Sequence, residues 1–381
     1  MKVLVVSHSY VVGVNQQKIQ RLAELPGFSV ALAAPKEWMD MGRKLHLEKI
    51  PDAAFRLYPL NVFWYNHLYA HFYDWFQLLA IFIREKPDVL YIEEEPQSLA
   101  AGQVLLAASI FKTTRILLTW ENLEVKFPRY KRLMARWVLK HIDAAVGGTG
   151  DALETIKKIG YKGPGFVNPQ FGLDEDSFFF KEVNPLTEKL DLRKKFVIGF
   201  IARLTREKGI LTLIQATARL PFEYTLFIVG DGPVKAQAVK LAAELGIENR
   251  IKWGGIISHS QLAEYMNCFD LFVLPSIPGP NWKEQFGHVV IEAMSCQLPV
   301  IGSDCGAIPE LIGDGGLIFP AGDVDRLAAH IKTLHDDPSL REKLGARGRR
   351  RVLENYSDRV IVQKLQNIIK EVYSGKANNR Q

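Results

Sequence analysis

The stretch PSIPGPNWKEQFGHVVIEAMSCQLPVIGSDCGAIPE, Pro275 to Glu310, sets two carboxylates, Glu284 and Glu292, around a turn that opens a helix. Pro275, Pro278, Gly279 and Pro280 cannot continue regular structure, so the chain stops and turns there. Phe286 and Gly287 then lead into HVVIEAMSC, whose apolar residues recur at helical spacing from His288 onward. The unpaired N–H groups of that first turn form a site for an anion such as a phosphate. Glu292 lies inside the helix, more than a turn from its start. A carboxylate there can accept two hydrogen bonds from adjacent hydroxyls, as on a ribose. Glu284 lies before the helix, on a loop that can hold a reacting sugar. Taken alone, two glutamates with seven residues between them are common by chance and read as solvated.

Before this stretch the chain alternates short apolar runs with helical patterns. Residues 196–201, 224–229, 251–253 and 271–274 read as strands, with helices at 209–220 and 235–245. An earlier series has strand-like runs at 2–7, 28–34, 88–92, 115–119 and 144–147, separated by helical patterns at 16–25, 98–111 and 130–141. The two series meet in a turn-rich segment near Pro164 and a charged connector that runs to Lys195. Such alternation predicts an α/β chain whose parallel sheets are covered on both faces. Parallel strands deliver ligand-binding loops at their carboxyl ends. That singles out Gly13, the run Thr119 to Asn122, Arg203, Gly230 to Pro233, and Gly254 with Gly255 and Ile256. Tyr10 and His8, beside Gly13, are as compatible with structural as with functional roles. Residues 358–372 read as an amphipathic helix and 375–381 as a frayed end.

Gly199 to Gly209, GFIARLTREKG, is the second informative run. A strand ends at Ala202, and Arg203 and Lys208 follow on the turn into a helix. An arginine fork and a lysine point charge placed there can clamp a diphosphate. The bland alternative is a solvated basic turn.

The chain has 381 residues, enough for two domains, with 48% hydrophobic and 24% charged residues and a net charge of +6. This mild excess permits anionic partners, and no nucleic-acid-binding motif accompanies it. Three cysteines, Cys268, Cys296 and Cys305, show no metal-ligand spacing and favour a reducing, cytoplasmic compartment. Residues 61–83 are apolar and about long enough to span a bilayer. They carry Asn66, His67, His71, Asp74 and Gln77, which are costly in lipid, so a buried or interfacial amphipathic helix is expected instead. The basic, aromatic stretch from Lys126 to His141 can either rest on anionic membrane at the inner face or be a solvated face over a core stripe.

The Pro275 to Glu310 block, with Ala293-Met294, Pro299 to Ile301 and Gly306 to Glu310, resembles the donor-binding block of retaining glycosyltransferases of family four, the group 1 glycosyltransferases. The run Gly199 to Gly209 is similar to that family's phosphate clamp. The resemblance is strong over residues 196–320 and weak before them. It implies the GT-B fold, two Rossmann-like domains facing across a cleft. The expected division is residues 1–180 with a returning helix at about 356–381 on the acceptor side, and 181–355 on the donor side. It implies transfer of a sugar from a nucleotide-diphosphate sugar to a glycan or lipid-linked acceptor hydroxyl. Arg203, Lys208 and Glu284 would act in catalysis. Glu292, Phe286, Gly287, His288, Gly230, Gly255 and Ile256 would bind the donor, and Gly13, Tyr10, Glu121 and Asn122 would line the sugar or acceptor side. Glu121 stands where many members have a histidine, and Gln297 where they often have glycine. No cofactor and no metal is expected, although Asp174, Glu175 and Asp176 look like cation ligands. Rival readings are a sugar-nucleotide epimerase or phosphorylase of the same fold, and a non-catalytic nucleotide-sugar-binding partner of an assembly complex.

Overall fold

The computed structural model describes residues 1–40, 42–123, 127–192 and 195–378. Lys126, the first residue of the basic stretch, lies outside the described residues, as do connector positions 193–194 and the last three of the expected terminal segment. The chain divides into two units, Met1–Gly172 with Asp358–Gln381, and Leu173–Ser357.

In the first unit seven strands form one parallel sheet: β1 (Lys2–Val6), β2 (Ser29–Pro35), β3 (Arg56–Leu60), β4 (Val89–Glu93), β5 (Thr114–Thr119), β6 (Ala144–Gly147) and β7 (Gly165–Val167). Their spatial order is β7-β6-β5-β4-β1-β2-β3, and Leu4 of β1 sits between Ala31 of β2 and Leu90 of β4. These strands are nearly continuous apolar runs because helices cover both faces and leave no wet side. One face is covered by α1 (Gln17–Glu24), whose Ile19 and Leu22 share a core with Leu365 and Ile369 of the terminal helix. The other is covered by α2 (Trp75–Glu85), α3 (Leu99–Ala108) and α4 (Arg129–Lys140).

The second unit repeats the plan with six parallel strands: β8 (Val197–Ile201), β9 (Thr225–Val229), β10 (Ile251–Gly255), β11 (Leu271–Leu274), β12 (Val300–Ser303) and β13 (Gly316–Phe319). The order is β10-β9-β8-β11-β12-β13. Helices α5 (Ile210–Thr217) and α6 (His288–Ser295) follow β8 and the turn after β11. The long terminal helix α7 (Asp358–Asn378) belongs to the first unit.

Both sheets reverse their strand order at one point, between β1 and β4 in the first and between β8 and β11 in the second. There the loops at the strand ends diverge to opposite faces and leave a crevice where ligands of such folds bind.

Two expectations are corrected. Residues 61–83 are not one helix: Val62–Phe63 pairs antiparallel with Phe72–Tyr73, and α2 begins only at Trp75. Trp64 at φ +53° interrupts helical geometry, and the Asp74 side chain caps α2 by accepting from the Gln77 N–H at 3.0 Å. At the other end, α7 continues to Asn378 rather than fraying from Gly375.

Candidate active site

The switch point of the second sheet assembles the residues of the quoted block. Arg203 follows β8 and stays half exposed, with its guanidinium 3.9 Å from Glu207. A single tight turn, Arg206–Lys208, ends at Gly209 with φ +72°. A Cβ on Gly209 would stand 1.8 Å from the Pro275 carbonyl oxygen, so only glycine lets the two loops touch. That contact brings Lys208 to Glu284. The Lys208 ammonium donates to Glu284 Oε2 at 2.7 Å and lies 5.1 Å from the centre of the Trp282 ring. Ser276 Oγ donates to the same carboxylate oxygen at 3.0 Å. The loop after β12 closes the far side, where the Ala307 N–H donates to the Glu284 carbonyl at 3.1 Å. Glu284 is thus a buried residue whose carboxylate is held by Lys208 and Ser276 and whose backbone is held by the loop after β12.

Gly287, at φ +89°, turns the chain into α6 and leaves the amides of its first turn at the same strand ends. Glu292, one turn in, is buried, and His259 Nε2 meets its Oε1 at 3.0 Å. That hydrogen bond raises the His259 pKa above the ordinary imidazole value. Burial lowers the pKa of His288, keeping it neutral at the mouth of the helix. The Phe286 ring is buried between His288 and Tyr356 and shapes the turn. Burial pushes the Cys296 thiol up to about 12 and that of Cys305 up to about 11, which excludes either as a thiolate nucleophile.

The glycine loops beside this centre are laced together. Gly230 has φ +134°, and a Cβ there would lie 1.9 Å from the Ala202 carbonyl oxygen. Its N–H donates to the Gly255 carbonyl at 2.7 Å, across a bulge between β9 and β10. Ile256 follows and is 77% exposed, an apolar side chain presented at the strand ends.

The first unit departs from expectation. Tyr10 is fully buried against Phe171, and its pKa is raised well above the usual phenol value, first by burial and then by Glu93. The Gly13 N–H is taken by Glu48 Oε2 at 2.5 Å. Glu121 is buried and accepts from Tyr69 OH at 3.2 Å and Gln97 Nε2 at 2.8 Å; burial raises its pKa. Asn122 is buried as well. All four are buried, and the partners named for Tyr10, Gly13 and Glu121 lie in the same unit. Asp174, read as a possible cation ligand, instead accepts from the Ser177 hydroxyl at 2.5 Å to close a turn.

Sequence reasoning missed His259, Trp282 and Ser276. Ser276 and Trp282 sit within the quoted block, whereas nothing local marks His259 as a partner of Glu292, 33 residues away.

The family description "Glycosyl transferases group 1" matches residues 185–351, nearly the whole second unit. The second unit is therefore similar to the group 1 glycosyl transferases. Among curated relatives, the N-acetyl-alpha-D-glucosaminyl L-malate synthase of Bacillus anthracis is 30% identical over 213 residues, 55% of this chain and 54% of that protein. The O-antigen chain mannosyltransferase B of Escherichia coli is 33% identical over 172 residues, 44% of each. This chain therefore spans about half the length of the curated relatives it matches. Solved structures cover nearly all of it. The sucrose-phosphate synthase of Thermosynechococcus elongatus superposes with TM-score 0.75 at 19% identity, over 98% of this chain and 100% of that one. HepE of Anabaena, solved with UDP, gives 0.75 at 19% identity, over 97% and 100%. The fold of the chain is GT-B. The unit similar to the group 1 glycosyl transferases carries the Lys208–Glu284 and His259–Glu292 pairs.

Proposed function

We propose that the chain is a retaining glycosyltransferase that moves a sugar from a nucleotide-diphosphate sugar to an acceptor hydroxyl in glycan, polysaccharide or glycolipid synthesis. The observation that carries this reading is the convergence of Lys208, Ser276 and Glu284 beside the opening turn of α6. A diphosphate set on that turn would meet the amides of α6, the Lys208 ammonium and the Arg203 guanidinium. Charge that grows on the departing oxygen is stabilised by donors already in place. Glu284 would then hold a hydroxyl of the transferred sugar, and Glu292 the ribose diol in exchange for His259. The binding of UDP by HepE and the alpha-linked names of several relatives support the same chemistry.

Two cationic side chains and the α6 amides converging on one diphosphate would supply what magnesium supplies elsewhere, so no metal would be needed at that centre. The test is to screen nucleotide sugars for thermal stabilisation, then follow transfer with magnesium and manganese omitted. Transfer with the anomeric configuration kept, undiminished without those ions, supports the reading. Product formed without acceptor would favour an epimerase, and tight binding without turnover would favour a non-catalytic partner.

The acceptor side is proposed to meet an anionic membrane. No helix among the described residues is long and apolar enough to cross a membrane. Yet α2, α3 and α4 lie side by side and expose Phe76, Ile83, Leu106, Leu133 and Trp137. Helix α4 adds Arg129, Lys131, Arg132, Arg136 and Lys140 without an acid. Each such cation near an anionic leaflet contributes about 1 kcal/mol. A peripheral seat on the cytoplasmic face would suit a lipid-linked acceptor and three buried free thiols. Flotation with anionic vesicles, abolished by high salt and absent with neutral ones, is the expected result. Equal absence from both would remove the membrane from the proposal.

A further inference from the structure

At the switch point of the first sheet, His8 follows β1 and Glu94 follows the adjacent β4. His71 reaches them from the segment between the two short antiparallel strands. Both imidazoles point at one carboxylate oxygen. His8 Nδ1 lies 2.9 Å from Glu94 Oε2, and His71 Nε2 lies 3.5 Å from it. The three ligand atoms lie within 4.8 Å of one another.

The surroundings fix each group in a donor-ready form. His71 Nδ1 stands 2.9 Å from the Leu68 carbonyl, which can only accept, so a ring hydrogen sits on Nδ1 and the neutral ring presents an Nε2 lone pair. That Nε2 is fully buried and, among the described residues, makes no hydrogen bond, only the longer 3.5 Å contact to Glu94 Oε2. A lone pair facing a carboxylate repels it unless a positive charge lies between them. The other carboxylate oxygen, Glu94 Oε1, is occupied by Tyr73 OH at 2.6 Å and the His8 N–H at 3.1 Å. Oε2 is thereby left for the two rings. Such outer contacts orient the ligands of metal-binding histidines and carboxylates. Trp38 walls the cluster, with its ring 4.5 Å from His8 and 4.8 Å from His71.

We propose that His8, His71 and Glu94 bind a divalent first-row transition metal of the zinc class, independently of the donor site. Zinc held at about 2.0–2.1 Å by tetrahedral ligands sets neighbouring ligand atoms roughly 3.3 Å apart. The two separations from Glu94 Oε2, 2.9 and 3.5 Å, bracket that spacing, and the two ring nitrogens lie within 4.8 Å of each other. Two imidazoles and one carboxylate suit zinc or cobalt over magnesium or calcium, which take oxygen ligands. Three protein ligands leave a fourth position, on the side where the His8 ring is 17% exposed. The ion ties the ends of β1 and β4 to the 62–73 segment, at the crevice where ligands bind in such sheets.

The experiment uses the full chain. Zinc alone is expected to raise its melting temperature. One equivalent of cobalt(II) should give visible bands of a tetrahedral site. His8→Ala, on a partly exposed ring, should weaken cobalt binding at least about tenfold, since even outer-shell changes have effects of that size. His141→Ala, remote from the cluster, should leave it unchanged. His71→Ala should abolish binding; should that variant not fold, His8→Ala still decides the matter. A folded protein that zinc does not stabilise, or a His8→Ala variant that binds cobalt as the parent does, overturns the proposal and leaves a proton shared between His71 and Glu94.

Discussion

The two sheets reverse at equivalent points, yet they hold charge in opposite ways. At the second switch point the cations come from loops and stay partly wet: the side chain of Lys208 is 19% exposed and that of His259 is 65% exposed, each against a carboxylate. At the first, the Lys18 ammonium bonds Glu93 with both side chains at 2% exposure or less, ringed by Tyr10, Tyr91 and Phe171. Burial lowers the Lys18 pKa, while Glu93 opposes that fall. A wet pair can trade its partner for a ligand, whereas a buried pair cannot open without leaving a bare charge in the core. One topology therefore carries exchangeable charge in one unit and locked charge in the other, as expected when sites are grafted onto a common fold.

The contrast is sharpest in two lysine variants. Lys18→Ala strands Glu93 in the core and should lower unfolding stability by about 3–5 kcal/mol, read by denaturant melts. Lys208→Ala should melt close to the parent, yet its turnover should fall roughly a hundred- to thousandfold, as for one lost charge-stabilising donor. Near-normal turnover at saturating donor in a folded Lys208→Ala protein would break the comparison.

A smaller effect concerns the exchangeable pair at Glu292. Its hydrogen bond raises the His259 pKa, so the pair is strongest when His259 is protonated. A ribose that takes Glu292 releases His259, whose pKa falls back and which sheds a proton. Nucleotide affinity should therefore rise with pH across roughly 6 to 8, where imidazoles titrate. His259→Ala should flatten that profile, while Glu292→Gln should weaken the nucleotide by about tenfold, the equivalent of about 1.4 kcal/mol in binding. Calorimetric titrations at several pH values measure both. A profile unchanged in His259→Ala would show that the two groups do not exchange.

The smallest effect lies away from both pairs. Gln297 follows α6 at φ +60°, a left-handed conformation where the resembling family often has glycine. Its side chain is exposed, so Gln297→Gly removes strain without a cavity and should stabilise by about 1 kcal/mol. A lowered melting temperature would mean that the side chain makes contacts worth more than the strain.

Much of the second unit was legible because its signals are local. Proline and glycine punctuation around Pro275, the helical spacing after Gly287, and cations placed just after a strand each constrain a few neighbouring residues. The first unit misled for the same reason. Apolar residues 61–83 read as one helix, since composition does not reveal the φ reversal at Trp64 or the cap at Asp74. Tyr10, Glu121 and Asn122 lie near strand ends, as expected of ligand-side residues, but burial is set by what packs over them. Arg349 and Arg351 bond the backbone carbonyls of Ser295, Glu310 and Leu311, partners that nothing local in their basic run marks.

By itself, the sequence determined the α/β alternation, the resemblance to group 1 glycosyltransferases, and the presence of Arg203, Lys208, Glu284 and Glu292 at turns beside predicted strands. Those properties depend on backbone propensity and periodicity over short spans. Only the tertiary structure decided which charges meet: Lys208 with Glu284 across 76 residues, His259 with Glu292 across 33, and His8 with Glu94 across 86. Strand order brings those loops together, and burial then decides whether a pair stays open to exchange or is locked.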